Sequence, residues 1–241
     1  MSNSPALAFR GVTKAFGRTQ PVLTGLDLSV PPGEFFGLVG VNGAGKTTSI
    51  KCLLDFCEPD RGEIDIFGVS HRQNRARERL AYLPEQFLPP YFLTGRAFLN
   101  YMGRLQGRKP SETECRELCE ALDLDYAALG RSVRQFSKGM AQKLGLAGCF
   151  LAGRDLLILD EPMSGLDPKA RVLVKQHLQR LRSDGVTVFF STHMLFDVQE
   201  LCDRMGVLHE GELRFVGSPD ECCDTFGTRN LEQAYLKCIS A

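Results

Sequence analysis

The sequence predicts an α/β fold with a parallel sheet, preceded by an antiparallel β subdomain and interrupted by a helical insertion. Continuous apolar runs that end in polar residues predict three buried strands of one sheet, at 35–39, 156–159 and 186–190. The intervening segment 92–152 is rich in helix-forming residues and poor in β-branched runs, which indicates the helical insertion. Pro84, Pro89 and Pro90 mark its beginning.

The first part of the chain supplies the β subdomain and the start of the main sheet. Residues 7–30 alternate short apolar runs with glycine and polar residues, a pattern typical of antiparallel strands joined by turns. The strand at 35–39 leads directly into a glycine-rich loop, and a helical stretch is expected at 48–56. A strand, a tight loop and a helix in this order present a helix N-terminus to an anion.

The second half of the chain carries a well-marked helix and two closing strands. Asp167 is the expected N-cap, Pro168 the first helical residue, and Gly185 lies just beyond the helix end. Strands are expected at 205–208 and 213–216, joined by a tight turn. A short helical tail closes the chain.

Composition excludes several classes of protein. With 241 residues, 43% apolar and 24% charged, the chain has enough apolar residues for a sizeable core, which excludes disordered and fibrous proteins. Lys plus Arg equal Asp plus Glu at 29 each, so no nucleic-acid partner is expected through a global positive field. No run of eighteen uncharged apolar residues occurs and the first five residues lack a signal-peptide pattern, so we expect a cytoplasmic protein.

The cysteines and one basic run each have two interpretations. Nine cysteines without a C-x-x-C pair indicate reduced thiols. Cys115 and Cys119 have helical spacing, but no nearby His or second pair completes a metal site, so packing roles are favoured. The run 71–79 carries four arginines; a solvated face is favoured over contact with anionic lipid or a partner. His71, His177 and His209 are interpreted as structural.

The strongest motif is a glycine-rich loop that fits the P-loop pattern G-x-x-x-x-G-K-[ST]. It consists of Gly40, Val41, Asn42, Gly43, Ala44, Gly45, Lys46 and Thr47, and Thr48 follows it. Glycines let backbone N–H groups approach phosphate oxygens, Lys46 supplies charge to the β and γ phosphates, and the Thr47 hydroxyl is a ligand for Mg²⁺. The alternative, a glycine turn with a solvated lysine, is disfavoured by the flanking strand and helix.

Polar residues at two strand ends complete the candidate site. Asp160 ends a buried run, where α/β sheets place ligands, and is a candidate Mg²⁺ ligand. Glu161, one residue further, is placed to accept a proton from an attacking water or to orient it. His193 ends the third apolar run and is a candidate γ-phosphate contact. A polar strand end before a turn, and a merely satisfied histidine, are the alternatives.

Several stretches in the expected order make the chain resemble the ATP-binding subunit of an ABC transporter, with a P-loop NTPase core. Residues 40–47 correspond to Walker A, 156–162 to Walker B and 164–168 to the D-loop, and His193 stands at the switch histidine. The stretch 136–143, Phe-Ser-Lys-Gly-Met-Ala-Gln-Lys, resembles the ABC signature in the S-K-G-M form of exporter-type subunits.

The resemblance implies a composite ATP site in a head-to-tail dimer. The signature of one subunit would complete the site of its twin, with Ser137 and Gly139 as phosphate donors and Lys138 in place of the usual first glycine. Taken alone, the Phe-Ser-Lys-Gly stretch is more often a helix start than a ligand site.

Two further positions follow from the resemblance. Phe16 corresponds to the aromatic residue that stacks on adenine, although any exposed ring at a strand end looks alike. The family's Q-loop glutamine corresponds to Glu85 by alignment, with Gln86 one residue late, so either side chain is a candidate for the Mg²⁺ contact.

The resemblance also implies a domain organisation. We expect a single ATP-binding domain over 1–241, with a catalytic core and β subdomain at 1–86 and 153–220. The helical signature subdomain is expected at 87–152 and the C-terminal helical tail at 221–241.

The implied function is ATP binding and hydrolysis that powers transport through separate membrane-spanning permease subunits. The chain is then peripheral on the inner face of the cell membrane and works with a second copy or a homologous subunit. Residues 87–92 form either a docking groove for the permease or core packing. The S-K-G-M signature and the tail favour export; the cargo is not identified. The rivals are a soluble ABC-type ATPase that acts as an assembly factor and a module that binds ATP without hydrolysing it.

Overall fold

A computed structural model describes residues 4–17 and 21–240. Most of the opening segment interpreted as lacking a signal peptide, and both ends of the expected domain 1–241, lie outside these residues. The strands are β1 Leu7–Lys14, β2 Leu23–Val30, β3 Phe35–Val39, β4 Arg61–Ile66, β5 Val69–Ser70, β6 Leu80–Leu83, β7 Leu156–Asp160, β8 Thr187–Thr192, β9 Arg204–His209 and β10 Glu212–Gly217. The helices are α1 Lys46–Leu53, α2 Gly95–Leu105, α3 Glu112–Ala121, α4 Lys138–Leu151, α5 Pro168–Ser183, α6 Leu195–Leu201, α7 Pro219–Thr225 and α8 Leu231–Ser240.

The main sheet has the strand order β10-β9-β3-β8-β7-β6. The three strands expected from apolar runs, β3, β8 and β7, are neighbours in it and pair in parallel, which confirms that prediction. Only β10 pairs antiparallel within this sheet. Parallel strands are covered on both faces, which is why β3 and β7 are buried at every residue.

The alternating side chains of β3 divide the core into two layers. Phe35 and Val39 pack with the helical insertion, α5 and the C-terminal helices. Phe36 and Leu38 point to the opposite face, where they pack with α1 and the β subdomain. The rings of Phe36 and Phe189 stack there with centroids 5.8 Å apart.

The β subdomain is a second, four-stranded sheet in the order β2-β1-β4-β5. The antiparallel pairing of β1 with β2 confirms the expectation for residues 7–30. Sequence reasoning did not identify β4, because Arg61–Ile66 is rich in charge and begins on the exposed surface.

The helical insertion contains α2, α3 and α4; a loop joins α2 to α3, and two short 3-10 turns lie between α3 and α4. Side-chain caps define where these helices begin. The Thr94 hydroxyl accepts from the N–H of Ala97, and Ser111 forms a capping box with Glu114. Ser137 is the N-cap of α4, and its hydroxyl accepts from the N–H of Met140 at 3.2 Å.

Two predicted helices have different outcomes. The α5 prediction is confirmed: Asp167 caps the first turn, Pro168 begins the helix, and Gly185 lies two residues past its end. The boundaries expected for α1, 48–56, are wrong by two to three residues. Helix α1 begins at Lys46, and it ends before Asp55, which has a left-handed φ of 62°.

Within the residues described, no helix combines the length and apolar character needed to cross a bilayer. All nine cysteines are unpaired thiols, and no metal-binding cluster of His, Cys, Asp and Glu occurs in the described part of the chain. Burial raises the pKa of Cys119 to about 11, consistent with a packing role. The run 71–79 is mostly exposed, as expected of a solvated face, and His71 and Ala76 within it are buried.

Candidate functional site

A cavity of about 570 Å³ lies at the carboxyl end of β3, above the start of α1. Its lining residues come from the P-loop, the ends of β6 and β7, and the segments beside β1 and β2. They are Phe16, Val22, Val41, Asn42, Gly43, Gly45, Lys46, Thr47, Thr48, Glu85 and Glu161. Ten of the predicted site residues, from four separate segments of the sequence, therefore line one cavity, which we call the P-loop cavity.

Two glycines of the loop are required by its geometry. Gly45 has a φ of 112°, and a Cβ there would lie 2.7 Å from the carbonyl oxygen of Val22. A Cβ on Gly40 would lie 2.5 Å from the carbonyl oxygen of Leu208. The loop therefore passes so close to the backbone at Val22 and Leu208 that glycine is needed at these two positions.

Lys46 lies at the floor of this cavity and is only 6% exposed. Its ammonium donates to the carbonyl oxygens of Gly40 at 2.6 Å and Val41 at 3.3 Å. It also lies 3.6 Å from Oε1 of Glu161. A buried cation with oxygen neighbours and one open side is suited to hold an anion that enters the cavity.

Asp160 and Ser191 lie side by side because β7 and β8 pair in parallel in that register. Asp160 is fully buried, and its Oδ1 accepts a hydrogen bond from the Ser191 hydroxyl. Its Oδ2 is also buried and has no hydrogen-bond partner among the described residues. An orphaned carboxylate oxygen of this kind fits a divalent cation or its bound water, so the donor set is compatible with Mg²⁺.

Glu161 is held between two basic groups. Its carboxylate lies 2.9 Å and 3.0 Å from Nδ1 of His193, in addition to the contact with Lys46. Its backbone has a left-handed φ of 49°, and its N–H donates to both the carbonyl and the hydroxyl oxygen of Ser191. A strained, non-glycine backbone at a strand end is typical of functional positions. The imidazole of His193 is half exposed and is not among the residues that line the P-loop cavity; it adjoins that cavity through its contact with Glu161.

Glu85 and Gln86 lie in different surroundings. A second cavity, of about 490 Å³, lies between the core and the helical insertion and is lined by both residues. Glu85 also lines the P-loop cavity, whereas Gln86 does not. Burial, with the charges of Asp160 and Glu85 close by, raises the pKa of the neighbouring Tyr82 hydroxyl to about 12. A negative cluster therefore lies at the ends of β6 and β7.

The signature residues lie away from the P-loop cavity of the same chain. Ser137 is exposed at the start of α4 and lines the second cavity, while Gly139 packs against the D-loop near the carbonyl oxygen of Gly165. The buried Gln142 of α4 donates to the carbonyl oxygen of Pro162 at 3.0 Å. The signature helix is thereby tied to the segment that follows Glu161.

Residues 87–92 were expected to form either a docking groove or core packing, and different residues of the segment fit each. Phe87 packs against Phe98 with ring centroids 5.4 Å apart and joins the core. Leu88, Tyr91 and Phe92 are exposed, and Leu88 and Tyr91 line the second cavity. Both the packing role and an exposed apolar surface are present in this one segment.

A P-loop beside strand-end carboxylates, on a parallel sheet interrupted by a helical insertion, defines a nucleotide-binding cassette. Comparison with known proteins gives its family. The chain belongs to the ABC transporter family, whose model matches residues 23–164, and within it to the ATP-binding subunits.

Three similar proteins illustrate the relationship. An uncharacterized ABC transporter ATP-binding protein of Synechocystis is 39% identical over 196 residues, which is 80% of this chain and 55% of that protein's length. A Nod factor export ATP-binding protein of Burkholderia lata is 39% identical over 216 residues, 88% of this chain and 70% of that one. The solved structure of an ATP-binding subunit of an ABC transporter has a TM-score of 0.87 at 31% identity, covering 97% and 99% of the two chains.

Sequence reasoning overlooked two residues that support the site. Ser191 bonds to both Asp160 and Glu161, and the sequence signal for it was its place at a strand end, two residues before His193. Gln142 lies in the signature stretch 136–143, but its bond to the carbonyl oxygen of Pro162 was not predicted. Both contacts depend on strand register and helix packing, which a single sequence does not specify.

Proposed function

We propose that this chain binds ATP in the P-loop cavity and hydrolyses it to ADP and phosphate in order to drive transport. The observation that carries the proposal is the placement of Glu161 between Lys46 and His193 at this cavity. A carboxylate held there by two basic groups is positioned to act on a water near the terminal phosphate.

The P-loop binds the nucleotide through its backbone N–H groups and through the Lys46 ammonium. N–H groups of the loop and of the first turn of α1 donate to phosphate oxygens, while Lys46 neutralises charge on the β and γ phosphates. Thr47 and Thr48 lie in the first turn of α1 and line the same cavity. Phe16 is half exposed at the cavity rim and provides a face on which the adenine stacks.

Hydrolysis then uses groups at the strand ends. Glu161 orients a water molecule and accepts its proton as the water oxygen attacks the γ-phosphorus, and ADP leaves with the electrons of the broken P–O bond. His193 donates to the transferred phosphoryl group and steadies the Glu161 carboxylate. Lys46 shields charge that develops on the phosphate oxygens.

The oxygen atoms of the remaining site residues are suited to hold Mg²⁺. Thr47, Asp160 and Glu85 would hold it, directly or through water, with Glu85 favoured over Gln86 because only Glu85 lines the P-loop cavity. When bound, Mg²⁺ neutralises phosphate charge and orients the triphosphate.

The working unit contains two copies. Ser137 and Gly139 lie outside the P-loop cavity of their own chain, so they contribute to an ATP site only across an interface. A second copy packed head to tail, or a homologous subunit, would bring the N-terminus of its α4 to the γ-phosphate. ATP binding then closes the pair, and hydrolysis reopens it.

The membrane partner is a separate permease that docks against the exposed residues Leu88, Tyr91 and Phe92. This chain would then be peripheral on the inner face of the cell membrane. Export is favoured because a relative at 39% identity is a Nod factor export ATP-binding protein. The domain organisation expected from the sequence, a core with a β subdomain, a helical subdomain at 87–152 and a tail, accompanies this function.

The variant Glu161→Gln tests hydrolysis. It keeps the size and hydrogen-bonding capacity of the side chain but removes the base, so phosphate release should fall by about 10²- to 10⁴-fold. Affinity for ATP should be retained, because the loop and Lys46 are unchanged. Equal turnover in the variant and the natural chain would contradict the assignment of Glu161.

The alternative function, a soluble ABC-type ATPase that acts as an assembly factor, requires a soluble partner in place of a membrane permease. Gentle detergent extraction followed by affinity purification distinguishes the two: a copurifying multi-spanning protein supports the transporter, and exclusively soluble partners support the alternative. The ATP-binding-only alternative is excluded if the natural chain releases phosphate.

A further inference from the structure

A single hydroxyl contacts both residues that end strand β7. Ser191 is fully buried on β8, directly opposite Asp160 in the parallel register. Its Oγ donates to Oδ1 of Asp160 and accepts the N–H of Glu161 at 3.1 Å. One side chain therefore touches the candidate metal ligand and the candidate base.

The first effect of this hydroxyl is on the orientation of Asp160. Because Oδ1 is taken by Ser191, the carboxylate is held in one orientation, and Oδ2 is the oxygen that remains without a partner in the described structure. A hydrogen bond from a neighbouring group commonly fixes which oxygen of a carboxylate a metal meets.

The second effect is on the backbone of Glu161. Its φ of 49° lies in the left-handed region, which is unfavourable for a residue with a Cβ. The two oxygens of Ser191 share its N–H, at 3.2 Å for the carbonyl and 3.1 Å for the hydroxyl. That shared bond helps to hold the turn that directs the Glu161 carboxylate toward Lys46 and His193.

We propose that Ser191 is a positioning residue: it presents Oδ2 of Asp160 to a divalent cation and fixes the backbone from which Glu161 acts. This inference rests on the proposed function, since the cation and the attacking water belong to the ATP reaction. Ser191 is not among the residues that line the P-loop cavity, so it would act through Asp160 and Glu161.

The test separates positioning from mere stability. Ser191→Ala removes the hydroxyl, and Ser191→Thr keeps it. The matched control is Thr187→Val, which removes an equally buried hydroxyl at the opposite end of the same strand. That hydroxyl accepts from the N–H of Gly33 at 2.9 Å.

The main readout is the equilibrium affinity for a fluorescent ATP analogue, measured in EDTA and across a Mn²⁺ titration. In EDTA all variants should bind alike, because the P-loop is untouched. Ser191→Ala should need about tenfold more Mn²⁺ for half-maximal tightening, the usual effect of removing a partner of a metal ligand. Ser191→Thr should restore the natural midpoint, and Thr187→Val should keep it.

The inference is overturned if Ser191→Ala and Thr187→Val show the same Mn²⁺ midpoint, even if both are less stable. Phosphate release by the natural chain is measured in parallel and decides the proposed function separately. A natural chain that binds the analogue with Mn²⁺ but releases no phosphate would refute hydrolysis, while the midpoint shift would still support or overturn the role of Ser191.

Discussion

Replacing Lys175 should destabilise the protein strongly, because its ammonium neutralises a buried carboxylate. Lys175 of α5 lies 2.7 Å from Oδ1 of Asp197, at the start of α6, and 2.6 Å from Oε2 of Glu200. The side chains of Lys175 and Asp197 are 9% and 3% exposed, whereas that of Glu200 is 42% exposed. Lys175→Met therefore leaves Asp197 charged, buried and unpaired.

The expected magnitude follows from this burial. Removing one partner of a buried ion pair costs about 3–5 kcal/mol. The pair with the more exposed Glu200 adds at most about 1 kcal/mol, because water screens it. At roughly 2–4 °C per kcal/mol for a chain of this size, a loss of about 3 kcal/mol lowers the Tm by roughly 6–12 °C.

Thermal unfolding followed by circular dichroism, without nucleotide, measures the effect. Lys169→Met is the control on the same helix: its ammonium lies 2.6 Å from Oδ1 of Asp123, but the side chain is 71% exposed, so the loss should stay below about 1 kcal/mol. The double variant Lys175→Met/Asp197→Leu should recover most of the stability, because no buried charge is left. The reasoning fails if Lys175→Met and Lys169→Met lower the Tm equally.

Two further predictions concern the loop and the pH dependence. Gly45→Ala should cost more than about 2 kcal/mol in the free energy of unfolding, since the new Cβ would meet the carbonyl oxygen of Val22 in addition to the strain of positive φ. Gly43→Ala, with φ of 87° and open space around it, should cost only about 1 kcal/mol; urea denaturation that gives equal losses would contradict this. Burial, and secondarily the charge of Arg180, lowers the pKa of His177 below 6.5 in the folded chain, so protonation favours the unfolded chain and stability is lost as pH falls through this value. His177→Gln should therefore lose less stability than the natural chain between about pH 7.5 and pH 5.5, and identical pH profiles would refute this assignment.

The fold was predictable where one physical signal dominated. Strands β3, β7 and β8 are buried on both faces, so each contains an apolar run: all of β3, 156–159 in β7 and 188–190 in β8. Strand β4 and helix α6 gave no such signal, because Arg61–Ile66 is charged and Leu195–Leu201 is too short for a clear period.

The residue types of the candidate site could be predicted from the sequence, but their geometry could not. The P-loop pattern and the strand-end residues Asp160, Glu161 and His193 are local in the sequence. The contacts that orient them are not local: Ser191 meets Asp160 only through the register of two strands 31 residues apart. The choice between Glu85 and Gln86 likewise depends on the direction of two side chains in an irregular segment. Sequence periodicity gives no information about such directions.

The hydrogen bond from Gln142 to the carbonyl oxygen of Pro162 couples movement of α4 to movement of the segment after Glu161. The helix has 14 residues and extends about 21 Å from its exposed first turn. Separating it from the segment after Glu161 would leave a buried amide and carbonyl unpaired, at about 1–3 kcal/mol. In the head-to-tail pair proposed above, a nucleotide bound at Ser137 of one copy would also displace the segment after Glu161 of that same copy, because α4 is rigid and connects the two. Occupancy of one ATP site would then change the geometry of the other.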